Sequence, residues 1–375
     1  MRKVKLLFLI NTLKGGGAEK VLVDMVNSMD SERFDITVQT IGDSGVHREA
    51  LGARIRYKSI VKVKNGFLYK LFMYLVQFVL PPKLVYNWFV RQDYDFEVSY
   101  LEGVPAKILS GSTNKKAKRY AWIHTDMYTN FSAHQKIYKD VAKHKKMYDV
   151  FDKIICVSQG AKEGFIKRFG ETKNIEVLCN LYNDKHILAS AKEEQTAIPE
   201  EDTFKIISVG RLTEVKGFDR LLKVHKRLVD EGLMHKLYIL GEGEKRAELE
   251  AYIRENALES SVRLLGFSKN PYKYMQACDL FVCSSYAEGL STVVAETLIL
   301  GKPVVSTQVA GADELLAHDK AGMLVENSEQ GIYDGIKTML TNKEKYNAYV
   351  CGAQERSMQL KAEVLIQPIE ALFEL

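Results

Sequence analysis

The sequence predicts an α/β protein of two Rossmann-like domains, each a parallel sheet wrapped by helices. Three observations carry this. The chain has 375 residues, enough for two independent cores. Short apolar runs alternate with amphipathic helical stretches along most of its length, as expected for strands buried on both faces. The strand–glycine turn–helix unit that opens such a domain occurs twice, after Lys3–Ile10 and after Phe204–Val209. The polar stretch Asp184–Asp202 lacks apolar periodicity and is the expected linker. It sets the domains at 1–184 and 203–354.

Composition is ordinary for a globular protein, with 46% hydrophobic and 27% charged residues. Five cysteines show no CxxC pair and no metal-ligand spacing, and most lie in apolar runs. Buried, reduced thiols in a cytosolic chain are expected. Charge is uneven: residues 1–180 hold 30 Lys/Arg against 18 Asp/Glu, a net of +12, and the rest hold 23 against 30, a net of −7. A basic half implies an anionic partner, such as a phosphorylated substrate, anionic lipid or nucleic acid.

In chain order, Lys3–Leu13 reads as the first strand. It is too short for a secretory leader and runs into Gly15-Gly16-Gly17 instead of a cleavage site. The triple glycine lets the backbone approach a ligand or an opposing domain closely. It is neither Gly-x-Gly-x-x-Gly nor a P-loop. Strands are expected over Asp35–Ile41 and Arg54–Ile60. Phe67–Leu80 is almost wholly apolar, is flanked by lysines, and is too short to span a bilayer, which takes about 20 residues. A helix buried on the sheet and an interfacial helix on an anionic membrane both fit, and the basic charge favours the second. Asp93-Tyr94-Asp95 precedes the strand Asp95–Leu101 and reads as a loop, not a metal motif. Tyr120–Ile123 is a strand ending in His124, which puts that imidazole at the carboxyl edge, where open α/β sheets bind ligands. Lys139, Lys143 and Lys146 fall on one face of a basic helix. Lys153–Ser158 and Ile175–Cys179 close the first domain.

In the second half, Arg211 and Lys216 follow the strand ending at Gly210. A guanidinium can fork two phosphate oxygens and an ammonium adds a point charge, which suits a leaving diphosphate. Lys236–Leu240 leads to Gly241, and Ser261–Leu265 to Gly266-Phe267. Asp279–Ser284 is a buried strand. It precedes Glu288-Gly289-Leu290-Ser291, after which a helix runs to Leu300 and carries Glu296. Unpaired N–H groups at that helix start form an anion site. Two carboxylates beside it suit sugar hydroxyls.

Glu288 and Glu296 in Glu-x7-Glu spacing, with Gly210-Arg211-Leu212 and Lys216-Gly217 upstream, resemble the retaining family-4 glycosyltransferases of glycosyltransferases group 1. These have the GT-B architecture of two facing domains with an interdomain cleft, and serve bacterial polysaccharide and glycan assembly. The resemblance covers nearly the whole chain, most specifically 204–315. It implies that Glu296 binds the ribose hydroxyls. Glu288 with the backbone of Gly289, Leu290 and Ser291 would hold the sugar and distal phosphate. Arg211 and Lys216 would stabilise the leaving diphosphate, and His124 the charge near the sugar. It further implies donor contacts at Gly16, Gly17, Gly241, Gly266 and Phe267, a base that is most often uridine, no metal, no cofactor beyond the donor, and a last helix, about 355–375, returning to the first domain. A lipid-linked or glycan acceptor and peripheral contact with the inner face of an anionic plasma membrane complete the expectation. Nucleotide-sugar epimerases share this architecture and form the second reading. A nucleic-acid-binding protein, suggested by charge alone, is the third, and the acidic second half speaks against it.

Overall fold

The computed structural model describes residues 2–62, 66–129, 140–172, 174–193, 198–199 and 202–374. The chain divides into two units, Met1–Leu181 with Leu365–Leu375, and Tyr182–Val364. The first unit holds β1 (Val4–Ile10), β2 (Phe34–Gly42), β3 (Arg56–Val61), β4 (Phe96–Ser99), β5 (Lys118–Ile123), β6 (Lys153–Cys156) and β7 (Ile175–Val177). The second holds β8 (Lys205–Val209), β9 (Lys236–Leu240), β10 (Val262–Gly266), β11 (Leu280–Cys283), β12 (Val304–Thr307) and β13 (Gly322–Val325). Strand order is β3-β2-β1-β4-β5-β6-β7 in one sheet and β10-β9-β8-β11-β12-β13 in the other. Every pairing is parallel. The expected α/β class with two Rossmann-like sheets is therefore what the chain forms.

This order fixes where ligands can go. Each sheet reverses its winding between two adjacent strands, β1 and β4 in the first and β8 and β11 in the second. The loops leaving such a pair diverge to opposite faces and open a crevice at the carboxyl edge. In the second unit those loops carry Arg211 and Lys216 after β8, and Glu288 after β11.

The central strands read as unbroken apolar runs because helices cover both faces. Leu6 to Ile10 are fully buried, and the second core gathers Ile206, Leu221, Ile239, Val282, Val305 and Ile332. Phe373, near the chain's end, is fully buried among Phe8, Phe34, Phe96 and Tyr120 of the first unit.

Three expectations are corrected. The polar stretch taken as a linker contains a helix, Asp184–Ala191, which belongs to the second unit. Its N-cap is Asn183, whose side chain accepts from His186 N, and it buries Ile187. One cap and one anchor suffice where tertiary contacts supply the rest. Phe67–Leu80 is not one helix: the helix Gly66–Tyr74 passes into a π turn over Leu75–Val79. The closing helical stretch is likewise two helices, Lys343–Gln359 and Ala362–Ala371, interrupted at Leu360-Lys361. Of the basic helix, Lys143 and Lys146 lie on Val141–Tyr148, while Lys139 falls outside the described residues.

One side of the apolar segment faces outward, while Val76 is buried. Phe67, Tyr74, Phe78, Val79 and Trp88 are all more than half exposed. This segment and the helix after it, Pro82–Phe89, are tied to the rest of the first unit by polar bonds. Lys107 Nζ donates to the Gln77 carbonyl at 2.7 Å, Tyr86 OH to Glu97 Oε1 at 2.5 Å, and Gln39 Nε2 to the Phe89 carbonyl at 2.7 Å. Among the described residues no helix is long and apolar enough to cross a membrane.

Candidate active site

Lys216 sits at the end of a 3-10 turn, Glu214–Lys216, between β8 and the helix Phe218–Asp230. Its Nζ donates to Glu288 Oε1 at 2.6 Å, and both side chains are partly buried. Ser285 Oγ donates to the same carboxylate oxygen at 2.6 Å. Ser208, Lys216, Cys283, Ser284, Ser285, Glu288 and Ser291 line one recess. Two residues 72 apart in sequence thus meet at the switch point of one sheet.

Ser291 is the N-cap residue of the helix Thr292–Ile299, and its side chain makes no capping bond there. The first N–H groups of that helix keep their capacity to hold an anion. Glu296 lies one turn in, is 5% exposed, and accepts from Tyr272 OH at 3.1 Å. Gly289 and Leu290 are buried beneath the turn.

Arg211 is exposed immediately after Gly210, and a backbone bond from Leu212 N to the Glu242 carbonyl at 2.9 Å anchors the loop behind it. Gly241 has φ +152°, and a Cβ there would lie 1.9 Å from the Gly210 carbonyl oxygen, so β8 and β9 exit together only because the side chain is absent. Gly266 ends β10 with φ +76°, and Phe267 beyond it is 68% exposed.

In the first unit, Gly16 and Gly17 open the helix Gly17–Ser28. His124 follows β5, is 8% exposed, and packs against Tyr100 with ring centroids 4.8 Å apart. Burial lowers its pKa to about 4, only partly opposed by Glu102, so the imidazole is neutral at physiological pH. Glu102 Oε1 accepts from the backbone N–H groups of His124 and Thr125, at 2.5 and 2.8 Å. His124 Nε2 is buried and has no hydrogen-bond partner among the described residues. A buried ring nitrogen in this position suits a ligand hydroxyl, at whatever moment one is present.

Sequence reasoning missed Glu102, Tyr272, Ser285 and Arg220. Glu102, Tyr272 and Arg220 act from elsewhere in the chain, Ser285 from three residues before Glu288, and only Arg220 left a signal, a charge on the buried face of an amphipathic helix. Asp95, from the discounted Asp-x-Asp, is structural: its carboxylate accepts from Lys5 N at 2.9 Å and pairs with Arg2. Among the described residues no cluster of three metal-ligating side chains occurs. Cys156, Cys278 and Cys283 are buried, and Cys351 is exposed.

Residues 190–356, most of the second unit, match the family model described as glycosyl transferases group 1. A Campylobacter jejuni enzyme named N-acetylgalactosamine-N,N'-diacetylbacillosaminyl-diphospho-undecaprenol 4-alpha-N-acetylgalactosaminyltransferase is 39% identical over 56% of this chain and 57% of its own. An uncharacterized glycosyltransferase of Methanocaldococcus jannaschii is 36% identical over 47% of this chain and 45% of its own. The chain thus spans about half the length of these relatives. Anabaena HepE, solved with UDP and glucose, superposes with a TM-score of 0.78 at 21% identity, covering 99% of this chain and 100% of that one. The fold is GT-B.

Proposed function

We propose that the protein is a retaining glycosyltransferase that moves a sugar from a nucleotide diphosphate sugar, with uridine the favoured base, to a hydroxyl of a glycan or lipid-linked saccharide. The observation that carries this is the Lys216–Glu288 contact at the switch point of the second sheet, beside a helix N-terminus. Arg211, Lys216 and the helix start supply the positive field that lets the diphosphate leave. Glu296 accepts from the ribose hydroxyls, and Gly241, Gly266 and Phe267 border the base. Both bonds received by Glu288 end on Oε1, which leaves Oε2 to accept from a sugar hydroxyl. From the first unit we assign His124 to the transferred sugar and Gly16–Gly17 to backbone contact with substrate. The anomeric C–O bond to phosphate breaks, a new C–O bond forms on the same face, and the acceptor's proton passes to a diphosphate oxygen. The C. jejuni relative, named for a diphospho-undecaprenol substrate, supports a lipid-linked acceptor.

The test is release of free UDP when a UDP-sugar and a lipid-diphosphate saccharide are mixed with the protein. Interconversion of the donor sugar with no acceptor and no UDP released would point instead to an epimerase of the same architecture.

An anionic membrane is the proposed working surface. From Lys62 to Gln92 the chain has five Lys/Arg and no Asp or Glu. The same stretch exposes Phe67, Tyr74, Phe78 and Trp88. Apolar side chains for insertion with basic flanks for anionic headgroups are the two components of interfacial binding. Co-sedimentation with phosphatidylglycerol vesicles, and its loss on Trp88→Ser with Phe78→Ser, tests this. Equal sedimentation of wild type and the double variant would refute it.

A further inference from the structure

We infer that Arg220 is a positioning residue of the donor site. The inference rests on the reading of Lys216 and Glu288 as donor-site groups. Arg220 lies on the helix Phe218–Asp230 and is 2% exposed. Its Nε and Nη2 donate to the Ser284 carbonyl at 2.8 and 2.6 Å, and Nη2 also donates to the Ser285 carbonyl at 2.7 Å. Its guanidinium carbon stands 3.8 Å from the centroid of the Tyr286 ring. One side chain therefore holds three consecutive residues of the loop that delivers Glu288.

That loop is also tied to the one carrying Lys216. Ser284 Oγ donates to the Lys216 carbonyl at 2.9 Å, and Tyr286 N donates to the Val215 carbonyl at 2.8 Å. Gly217 makes the approach possible: a Cβ there would lie 2.2 Å from the Ser284 carbonyl oxygen and 2.8 Å from Arg220 Nε. A guanidinium removed from water must satisfy its donors nearly completely. Here carbonyl oxygens take the Nε and Nη2 donors and the Tyr286 ring lies against the guanidinium, and the fork in turn dictates where those carbonyls point. Lysine can keep the charge but not the fork. Since a displacement of about 1 Å at a reacting group can cost about 100-fold, the spacing of Lys216 and Glu288 is what Arg220 protects.

The readout is the ratio of UDP to UMP affinity, measured by titration calorimetry on the full chain. A general loss of stability leaves that ratio alone, while a displaced Lys216–Glu288 pair lowers it. Arg220→Lys is expected to reduce the ratio about tenfold, the equivalent of one charge-assisted hydrogen bond, with UMP affinity within about twofold of wild type. Thr307→Val is the smaller lesion to use should Arg220→Lys fail to fold. It removes the Thr307 Oγ1 donation to the same Ser285 carbonyl, 2.7 Å away, and should lower the ratio by about threefold. A wild-type protein that binds UDP and UMP equally overturns the donor-site reading and this inference with it. A wild-type preference that survives undiminished in folded Arg220→Lys and Thr307→Val overturns this inference alone.

Discussion

Acid should destabilise the second unit by an amount the His225–His235 pair sets. Both imidazoles are about 1% exposed. The Leu233 carbonyl can only accept, so His235 carries its proton on Nδ1, 2.8 Å away. His235 Nε2 must then accept from His225 Nδ1–H at 2.8 Å, and His225 Nε2 accepts from Ser261 O–H at 2.9 Å. The chain of bonds is complete only while both rings are neutral. Burial, helped by His235, pushes the His225 pKa down to about 3, and burial lowers that of His235 as well. The unfolded chain protonates its histidines below about pH 6.5. It therefore binds more protons than the native state across this window. The stability is fully present above about pH 6.5 and drains away as pH falls toward 3. At pH 5, His225 alone accounts for a loss of about 2 kcal/mol relative to pH 8. That figure depends on the unfolded pKa, because any native value below about 4 leaves the folded ring neutral at pH 5. Urea unfolding followed by far-UV circular dichroism measures it. The only tryptophans, Trp88 and Trp122, lie in the first unit, so their fluorescence reports that unit separately. His225→Gln should cost about 1–3 kcal/mol at pH 8, by leaving a partner unsatisfied, and should shrink the acid-induced loss by about 2 kcal/mol. An undiminished loss in the variant would refute the reasoning.

Glu296→Ala should weaken UDP binding about tenfold or more, the worth of charge-assisted bonds to ribose hydroxyls, while inorganic pyrophosphate still competes with the residual binding. Thermal shift with uridine, UMP and UDP reads this directly, and an unchanged uridine response would remove Glu296 from the nucleoside site. Arg211→Ala should narrow the gap between UDP and UMP affinities by about tenfold and leave the melting temperature within about 2 °C of wild type, because the side chain is exposed. Equal discrimination in variant and wild type would place the diphosphate elsewhere. Phe373→Ala should destabilise the first unit by about 3–5 kcal/mol, since the ring is fully buried against four aromatic neighbours. Tryptophan fluorescence should register this loss.

Local patterns were legible in the sequence and distant partnerships were not. Apolar runs between glycine turns announced the strands, because a strand covered on both faces has to be apolar throughout. Arg211, Lys216 and Glu288 stand out in the sequence because they follow apolar strands in short loops, and the structure places them after β8 and β11. The Asp184–Ala191 helix was missed because its one buried aliphatic, Ile187, gives too weak a periodicity, and its stability comes from contacts within the second unit. Tyr272 holds Glu296 across 24 residues, and Arg220 holds Ser284 across 64, so no window of sequence contains either pair. The orientation of the Phe67–Leu80 segment was undecidable for a related reason. An apolar stripe looks the same whether it faces the sheet or the solvent. Exposure decides between them: Phe67, Tyr74, Phe78 and Val79 are more than half exposed, while Val76 is buried.

The Lys216–Glu288 pair has two readings, and the geometry favours one. As a stabilising ion pair it contributes little, because partly exposed pairs are worth at most about 1 kcal/mol. A fold that needed only that energy would not also spend Ser285 Oγ on the same carboxylate oxygen, nor bury Arg220 to hold the loop behind it. The convergence makes sense if the position of the charges is what matters. Lys216 has three donor protons, and one directed at Glu288 leaves two for phosphate oxygens. Glu288, held through Oε1, offers Oε2 at a fixed place to a neutral, hydroxyl-rich neighbour. A cation for phosphate and an acceptor for sugar hydroxyls, locked side by side at a helix start, match the two chemically different halves of a phosphosugar.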